Sequence, residues 1–147
     1  MVIKNICHNL QAQIDAEIDR LLKGRKCDVV GYVTDTNRGQ AKRGGEIFTV
    51  PLWAYDKSAL SPNAFAMLHC VHSGWDRIKN YESEGYFTYY VAHELAHILQ
   101  YKQDGKYSHH DFRFYKIFME ICPKEYQHFE LNYKPSASRY GIKPNQQ

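Results

Sequence analysis

The feature that most constrains this chain is a pair of histidines four residues apart in a segment with helical periodicity. Residues 86–102 are predicted to form one helix, which an Asp-Gly turn ends. On a helix of about 3.6 residues per turn, residues four apart differ by only about 40° around the axis, so His93 and His97 project from one face. Leu95 points to the opposite, apolar side of the helix. The two histidines are therefore predicted to chelate one metal ion.

Glu94 lies between these histidines and is offset from His93 by one residue. From there it can reach a water molecule on the metal without binding the ion itself, which is the position of a general base. A catalytic zinc usually has three protein ligands and one open position for water. The motif therefore predicts one catalytic Zn²⁺, held by His93, His97 and a third residue from elsewhere in the chain.

His109 and His110 are the candidates for the third ligand. Ser108 and Asp111 have the spacing of a capping box, which predicts a helix that starts at about residue 109. In such a helix, His110 lies on the apolar stripe that must pack inward, whereas His109 lies on a charged stripe. We therefore predict His110 as the ligand and keep His109 as the alternative.

The residues before the motif predict one helix and two strands. Apolar residues three and four apart predict a helix over residues 5–23, with Gly24 as its C-cap. Residues 28–34 and 46–54 are rich in strand formers, and the glycine-rich stretch between them predicts a loop. Pro51 breaks the second strand or places it at a sheet edge. An extended peptide can pair with such an edge by strand addition.

The rest of the chain predicts two more helices and a tail. Residues 62–80 are predicted to be helical, and the helix that begins near residue 109 is stopped by Pro123. The chain has 147 residues, the size of one ordinary domain. We therefore predict a single α+β domain over residues 1–135, followed by a loose C-terminal tail over residues 136–147.

Composition excludes several classes of protein. The net charge of +3 is only mildly basic and does not by itself indicate nucleic-acid binding. No two of the four cysteines have Cys-x-x-Cys spacing, so neither a zinc ribbon nor a redox pair is indicated. The sequence shows no secretory signal and no apolar stretch long enough to span a membrane. We therefore expect a cytoplasmic protein with reduced thiols and without a membrane partner.

The motif and its spacing resemble those of the SprT-like zinc peptidases, which include the bacterial SprT proteins and the eukaryotic Spartan proteases. Members of that family carry His-Glu-x-x-His on one helix and a third histidine in a His-x-x-x-(Phe/Trp) motif that opens the next. Here the third histidine is His110, twelve residues after His97, and Phe114 follows it. The likeness covers residues 86–131, and on this basis residues 1–135 are interpreted as a SprT-like metallopeptidase domain.

The resemblance implies a zincin-like fold, with an N-terminal helix, a small antiparallel sheet and a pair of metal-binding helices. It implies a zinc-dependent endopeptidase in which a zinc-activated water hydrolyses peptide bonds of a protein or peptide substrate, with Glu94 as the general base. It also implies action on DNA-associated proteins. The chain departs from the family at Asp111, where glycine is common, in lacking a zinc ribbon, and in residues 57–84, which look like an insertion.

Other interpretations stay open at this point. The leading alternative is a non-catalytic, zinc-stabilised module that binds DNA or protein, and a further one is an accessory protein with a vestigial metal site. His69 and His72 could form a second metal site, although a partly exposed helix is preferred. Seven basic residues form either a phosphate-binding patch or a solvated face: Arg20, Lys23, Arg25, Lys26, Arg38, Lys42 and Arg43. Three residues are weak candidates for the oxyanion donor: Tyr101, Tyr107 and His128.

Overall fold

A computed structural model describes residues 2–34, 40–41, 45–51 and 85–145, with only the backbone described at 2–10 and 33–34. In chain order, its elements are helix α1 (Val2–Leu22), strands β1 (Val30–Thr34), β2 (Gln40–Ala41) and β3 (Ile47–Pro51), helices α2 (Tyr86–Asp104), α3 (Phe112–Ile121) and α4 (Phe129–Tyr133), and 3-10 helices at Lys124–Tyr126 and Pro135–Tyr140. Several helices with one small sheet confirm the predicted α+β class.

Helix α1 covers the predicted N-terminal helix and begins a few residues earlier. The part of its apolar stripe from Ile14 to Leu22 is buried in the core, with Ile14 0% and Leu21 2% exposed. The helix packs against β1 and α2. Gly24 follows it with a φ of 88°, the left-handed conformation that commonly ends a helix and that glycine adopts without strain.

The sheet is mixed, which corrects the antiparallel sheet expected from the resemblance. Strand β1 runs parallel to β3, with Val30 opposite Ile47, and β2 pairs antiparallel with the other side of β3. Parallel neighbours need a crossover of about a dozen residues. Residues 35–46 provide that length between β1 and β3, and β2 lies within the crossover.

Strand β3 is the central strand, so one of the two alternatives predicted for Pro51, a place at a sheet edge, is wrong. The other alternative, that Pro51 breaks the strand, agrees with β3 ending at this residue. Pro51 is the last residue of the strand, where the missing N–H costs at most one bond at the end of the ladder. Phe48 and Val50 of this strand are buried in the core. An edge is formed instead by β2, within the stretch that was predicted to be a loop.

Helix α2 packs against α1, α3, β2 and β3. It begins after Gly85 and ends before Gly105, both of which have left-handed φ angles. The Gly105 N–H donates to the carbonyl of Tyr101 at 2.7 Å, which confirms the predicted end of this helix at the Asp-Gly turn. All six residues from Val91 to Ala96 are buried, so α2 is enclosed on most sides.

Helix α3 begins at Phe112, which corrects the predicted start near residue 109. Its N-cap is Asp111, whose carboxylate accepts from the backbone N–H groups of Arg113 and Phe114. His109 has a φ of 63°, a left-handed conformation that interrupts a helix, so Ser108 is not the cap. The predicted capping box misplaced the helix by one turn because Asp111 provides the cap itself.

The C-terminal residues are packed, unlike the predicted loose tail. Pro135–Tyr140 forms a 3-10 helix, and Ala137 and Ile142 are 0% and 2% exposed within the core. The ring of Tyr140 stacks on that of Tyr115, with centroids 4.7 Å apart. The chain up to Ile142 therefore contributes to the same core as α3.

Some predictions fall on residues outside the described ranges. These are the helix over 62–80, the insertion over 57–84 and the second metal site at His69 and His72. Within the part of the chain that the structure describes, no helix is long and apolar enough to cross a membrane.

Replacing the N-cap of α3 tests the corrected helix start. Asp111→Ala is expected to lower the free energy of unfolding by about 1 kcal/mol, because two N–H groups at the start of α3 lose their acceptor. Asp111→Asn should lower it by less, since asparagine also caps helices. Denaturant unfolding of the metal-free variants measures both. A larger loss for Ser108→Ala than for Asp111→Ala would instead indicate that Ser108 caps the helix, as the sequence predicted.

Candidate metal centre

Three histidine side chains converge at one point between α2 and the start of α3. His110 Nε2 lies 3.1 Å from His93 Nε2 and 3.2 Å from His97 Nε2, and one ligand atom of each lies within 4.8 Å of the others. A tetrahedral ion at about 2.0–2.1 Å from each nitrogen separates its ligands by roughly 3.3–3.4 Å. The two distances from His110 are therefore close to those in a tetrahedral site, and the three nitrogens are near enough to bind one ion.

The two elements place these histidines in different ways. His93 and His97 project from one face of α2, one turn apart, as the spacing predicted. His110 lies in the loop two residues before the first residue of α3. The prediction selected the residue that the structure brings to His93 and His97, but its reason, a position on a helical stripe, was wrong. His109 is exposed and stands outside the three-histidine group.

Gln100 holds the loop that carries His110. Its side chain is fully buried on α2, one turn beyond His97. The side-chain Oε1 accepts from the backbone N–H of Ser108 at 2.8 Å, and Nε2 donates to the carbonyl of Lys106 at 2.9 Å. Nε2 also donates to Asp104 Oδ2 at 2.8 Å. The loop is therefore tied to the same helix that carries the other two histidines.

Glu130 of α4 lies behind His93, with 0% of its surface exposed. Its Oε1 is 2.7 Å from His93 Nδ1 and accepts from the hydroxyl of Tyr89 at 2.7 Å. Its Oε2 accepts from the hydroxyl of Tyr115 at 2.9 Å. Burial opposes ionisation, but His93 and the hydrogen bonds from His93 and Tyr89 hold the pKa of Glu130 below its usual range.

Sequence reasoning missed Glu130. The signal available was one acidic residue between Phe129 and Leu131, and an isolated acid in a short apolar run has many ordinary explanations. The acid lies 37 positions from His93, so no local spacing connects the two.

Glu94 directly follows His93 in the sequence, and it lines the same cavity as the three histidines. Only 6% of its surface is exposed. Burial raises the pKa of Glu94 to about 7, against a lowering effect of His93 and with a further raising effect of Glu130. A carboxyl group with such a pKa can accept and release a proton near neutral pH, as a general base requires.

The imidazoles of His97 and His110 are in the form that binds metals. Burial, followed by the neighbouring His93, lowers the pKa of His110 to about 3 and that of His97 well below its usual range. Both rings are therefore neutral at physiological pH. Neutral imidazole is the form in which histidine coordinates an ion.

The three histidines and Glu94 open into a cavity of about 420 Å³. Its other lining residues are Gln40, Ala41, Tyr107, His109 and Tyr133. The first two form β2, so an edge of the sheet borders the cavity.

Two tyrosines stand on this cavity, and only one of them was predicted. Tyr107, an oxyanion candidate from the sequence, lines the cavity and stacks on Tyr101, with ring centroids 4.6 Å apart. Tyr101 contacts Tyr107 but is not among the residues that line the cavity. Tyr133 was missed, and its ring lies 5.3 Å from that of His93. The third candidate, His128, lines a different depression.

A glycine allows the sheet to approach α2 at this point. A Cβ atom at Gly45 would lie 2.3 Å from Cδ1 of Tyr101, and the φ of this residue is 69°. Its backbone also hydrogen-bonds to the hydroxyl of Tyr107. The turn that leads into β3 is thus fastened to the tyrosine pair beside the cavity.

The described ranges supply three histidine ligands and no fourth His, Cys, Asp or Glu in the same group. Glu130 is bound to the Nδ1 side of His93, away from the nitrogen that faces the other two histidines. Structural zinc sites are closed by four protein ligands, whereas catalytic sites keep one position open. Within the described residues the group therefore has three protein ligands, the number found in catalytic sites.

Part of the proposed basic patch is engaged within the chain. Arg20 pairs with Glu17, and Arg25 pairs with Glu120 at 3.1 Å. Lys23 donates to the backbone carbonyl of Glu120. The two ion pairs leave less positive charge on this surface to bind a nucleic-acid backbone. Arg38, Lys42 and Arg43 lie outside the described residues.

No protein-family model, no curated protein and no solved structure matches the chain. The likeness to the SprT-like peptidases therefore rests on the motif residues, whose side chains converge around one cavity.

Removal of the Gln100 side chain tests its role in the loop. Gln100→Ala is expected to lower the free energy of unfolding by roughly 1–3 kcal/mol, because the buried Gln100 side chain is lost and the backbone groups of Ser108 and Lys106 lose their partner. Gln103→Ala is the matched control, since Gln103 is exposed and has one long contact of 3.5 Å to Asp104. Urea unfolding of the metal-free proteins compares them. Equal losses would show that Gln100 does not hold the loop.

Proposed function

We propose that the protein is a zinc-dependent endopeptidase of the SprT-like type with a zincin-like fold. His93, His97 and His110 are the ligands of one catalytic Zn²⁺, and Glu94 is the general base. The observation that carries the proposal is the convergence of three imidazoles beside a buried carboxyl group in a cavity, with His110 Nε2 3.1 Å from His93 Nε2 and 3.2 Å from His97 Nε2. A three-ligand set leaves a position open, as hydrolysis requires.

The chemistry divides between the ion and the side chains. A zinc ion at this site supplies Lewis acidity, which lowers the pKa of water and polarises a carbonyl group. Glu94 accepts the proton of the attacking water and delivers it to the leaving amine, for which its pKa of about 7 is suited. Tyr133 and Tyr107 line the cavity and are candidates to donate a hydrogen bond to the developing oxyanion.

The edge strand β2 supports a polypeptide as the substrate. Gln40 and Ala41 border the cavity, and β2 pairs with β3 on one side only within the described sheet. An extended peptide can add to such an edge through main-chain hydrogen bonds, which would lay a scissile bond across the histidine cluster. The sequence analysis suggested strand addition at β3, and we now propose it at β2, which is an edge strand.

Two further parts of the proposal rest on sequence expectations. DNA-associated proteins as substrates come from the resemblance, and the engaged basic residues of α1 give that idea no added support. A cytoplasmic location comes from the sequence expectation alone. The alternative, a non-catalytic zinc-stabilised binding module, calls for a fourth ligand, whereas the described residues offer three.

Zinc content tests the ligand set. Elemental analysis of the protein purified without added metal is expected to give about one zinc per chain, lost in His110→Ala and kept in His109→Ala. His109 is the matched control because it is the adjacent residue and is exposed. No zinc in the wild-type protein, even after zinc is supplied, would exclude the metal site.

Substitution of the general base tests catalysis apart from metal binding. Glu94→Gln is expected to keep the zinc and to reduce hydrolysis of an unfolded protein substrate by about 10²–10⁴-fold, because the amide cannot accept the proton. Glu125→Gln, at an exposed position, serves as the control. The assay is run with and without DNA. Wild-type turnover in Glu94→Gln would rule out this role.

A further inference from the structure

We propose that Glu130 is a positioning residue, which holds His93 in its Nδ1–H tautomer, directs Nε2 of that ring toward the other two histidines and thereby sets the affinity of the site for zinc. The affinity part rests on the proposed function, because it requires that zinc binds there. The tautomer part concerns this chain alone and holds in the metal-free protein.

The position of Glu130 is unusual for a carboxylate. It is completely buried, and burial of a charge is unfavourable unless the charge is paired and hydrogen-bonded. Three donors from two helices satisfy it: Tyr89 and His93 of α2 on Oε1, and Tyr115 of α3 on Oε2. Two phenols therefore fix the carboxylate so that it meets His93 from one direction.

The tautomer follows from the chemistry of the pair. A carboxylate only accepts hydrogen bonds. The Nδ1 atom of His93, which lies 2.7 Å from Oε1, therefore carries the proton. In the neutral ring, which is the form that coordinates an ion, the other nitrogen then presents a lone pair. Nε2 of His93 lies 3.1 Å from Nε2 of His110, so this lone pair faces the cluster. The contact with Glu130 also prevents rotation of the ring.

The support for Glu130 extends to the C-terminal residues. Tyr115, which donates to Oε2, stacks on Tyr140 of the second 3-10 helix. Tyr89, which donates to Oε1, packs against Phe129, the neighbour of Glu130 in α4. The residues after α3 therefore hold His93 in position through Glu130, although none of them lies in the three-histidine group.

The first test is spectroscopic and uses the metal-free full chain. Long-range ¹H–¹⁵N correlation spectra report which imidazole nitrogen carries the proton. In the wild-type protein His93 is expected to be wholly in the Nδ1–H form. In Glu130→Gln the amide can donate as well as accept, so a mixture with the Nε2–H form is expected. Tyr115→Phe, which leaves the carboxylate and His93 in place, is the matched control.

The second test is the zinc affinity, measured by competition with a chromophoric chelator. Loss of the partner of a ligating histidine commonly weakens metal binding by about 10–100-fold. We expect a loss of this size in Glu130→Gln, and a smaller one in Tyr115→Phe, where one hydrogen bond to the carboxylate is removed. Glu120→Gln, which removes an exposed acid from α3, should bind zinc as the wild type does.

The outcomes separate the two proposals. A wild-type protein that binds no zinc overturns the proposed metal site, and the spectra still decide whether Glu130 fixes the tautomer. Zinc binding with equal affinity in wild type and Glu130→Gln, and with the same His93 tautomer, overturns the positioning role. If Glu130→Gln does not fold, Glu130→Asp takes its place. A folded Glu130→Asp, whose shorter carboxylate cannot reach His93, with unchanged tautomer and affinity also overturns it.

Discussion

Burial of ionisable side chains on α2 is the constraint on which the rest of the structure depends. His93 and Glu94 are each 6% exposed in the middle of this helix, where every residue from Val91 to Ala96 is buried. Buried polar groups require hydrogen-bond partners. The partner of His93 comes from α4, more than thirty positions further along the chain. The C-terminal elements are therefore packed against α2, and Tyr133 of α4 also lines the cavity.

What the sequence could predict is what depends on local spacing. Helix α2, its glycine end and the common face of His93 and His97 follow from the helical period and from the conformations open to glycine. The α+β class and the positions of β1 and β3 follow from short-range composition. Each of these features involves residues within a few turns or strand positions of one another, so a single sequence contains enough information for them.

What it could not predict depends on contacts between distant residues. The parallel pairing of β1 with β3 and the place of β2 at the edge are decided by how the crossover packs. The hydrogen bonds of Glu130 join α4 to α2 and α3, and no local sequence pattern predicts them. His110 shows that a correct selection can rest on a wrong reason: an N-cap at Asp111 displaced the helix, and a loop carries the ligand.

Glu94 and Glu130 also determine the charge balance beside the histidines, whereas Glu17, the third buried carboxyl group that the structure describes, pairs with Arg20. Glu130 contacts His93 and Glu94 follows His93 in the sequence, and the buried residues that the structure describes include no lysine or arginine. Two ionised carboxylates and a divalent cation in the proposed site would together be neutral. Metal uptake would then replace protons as the counter-charge, so that it is coupled to proton release and to folding. At a free zinc concentration about 1,000 times the dissociation constant, this coupling stabilises the folded chain by about 4 kcal/mol.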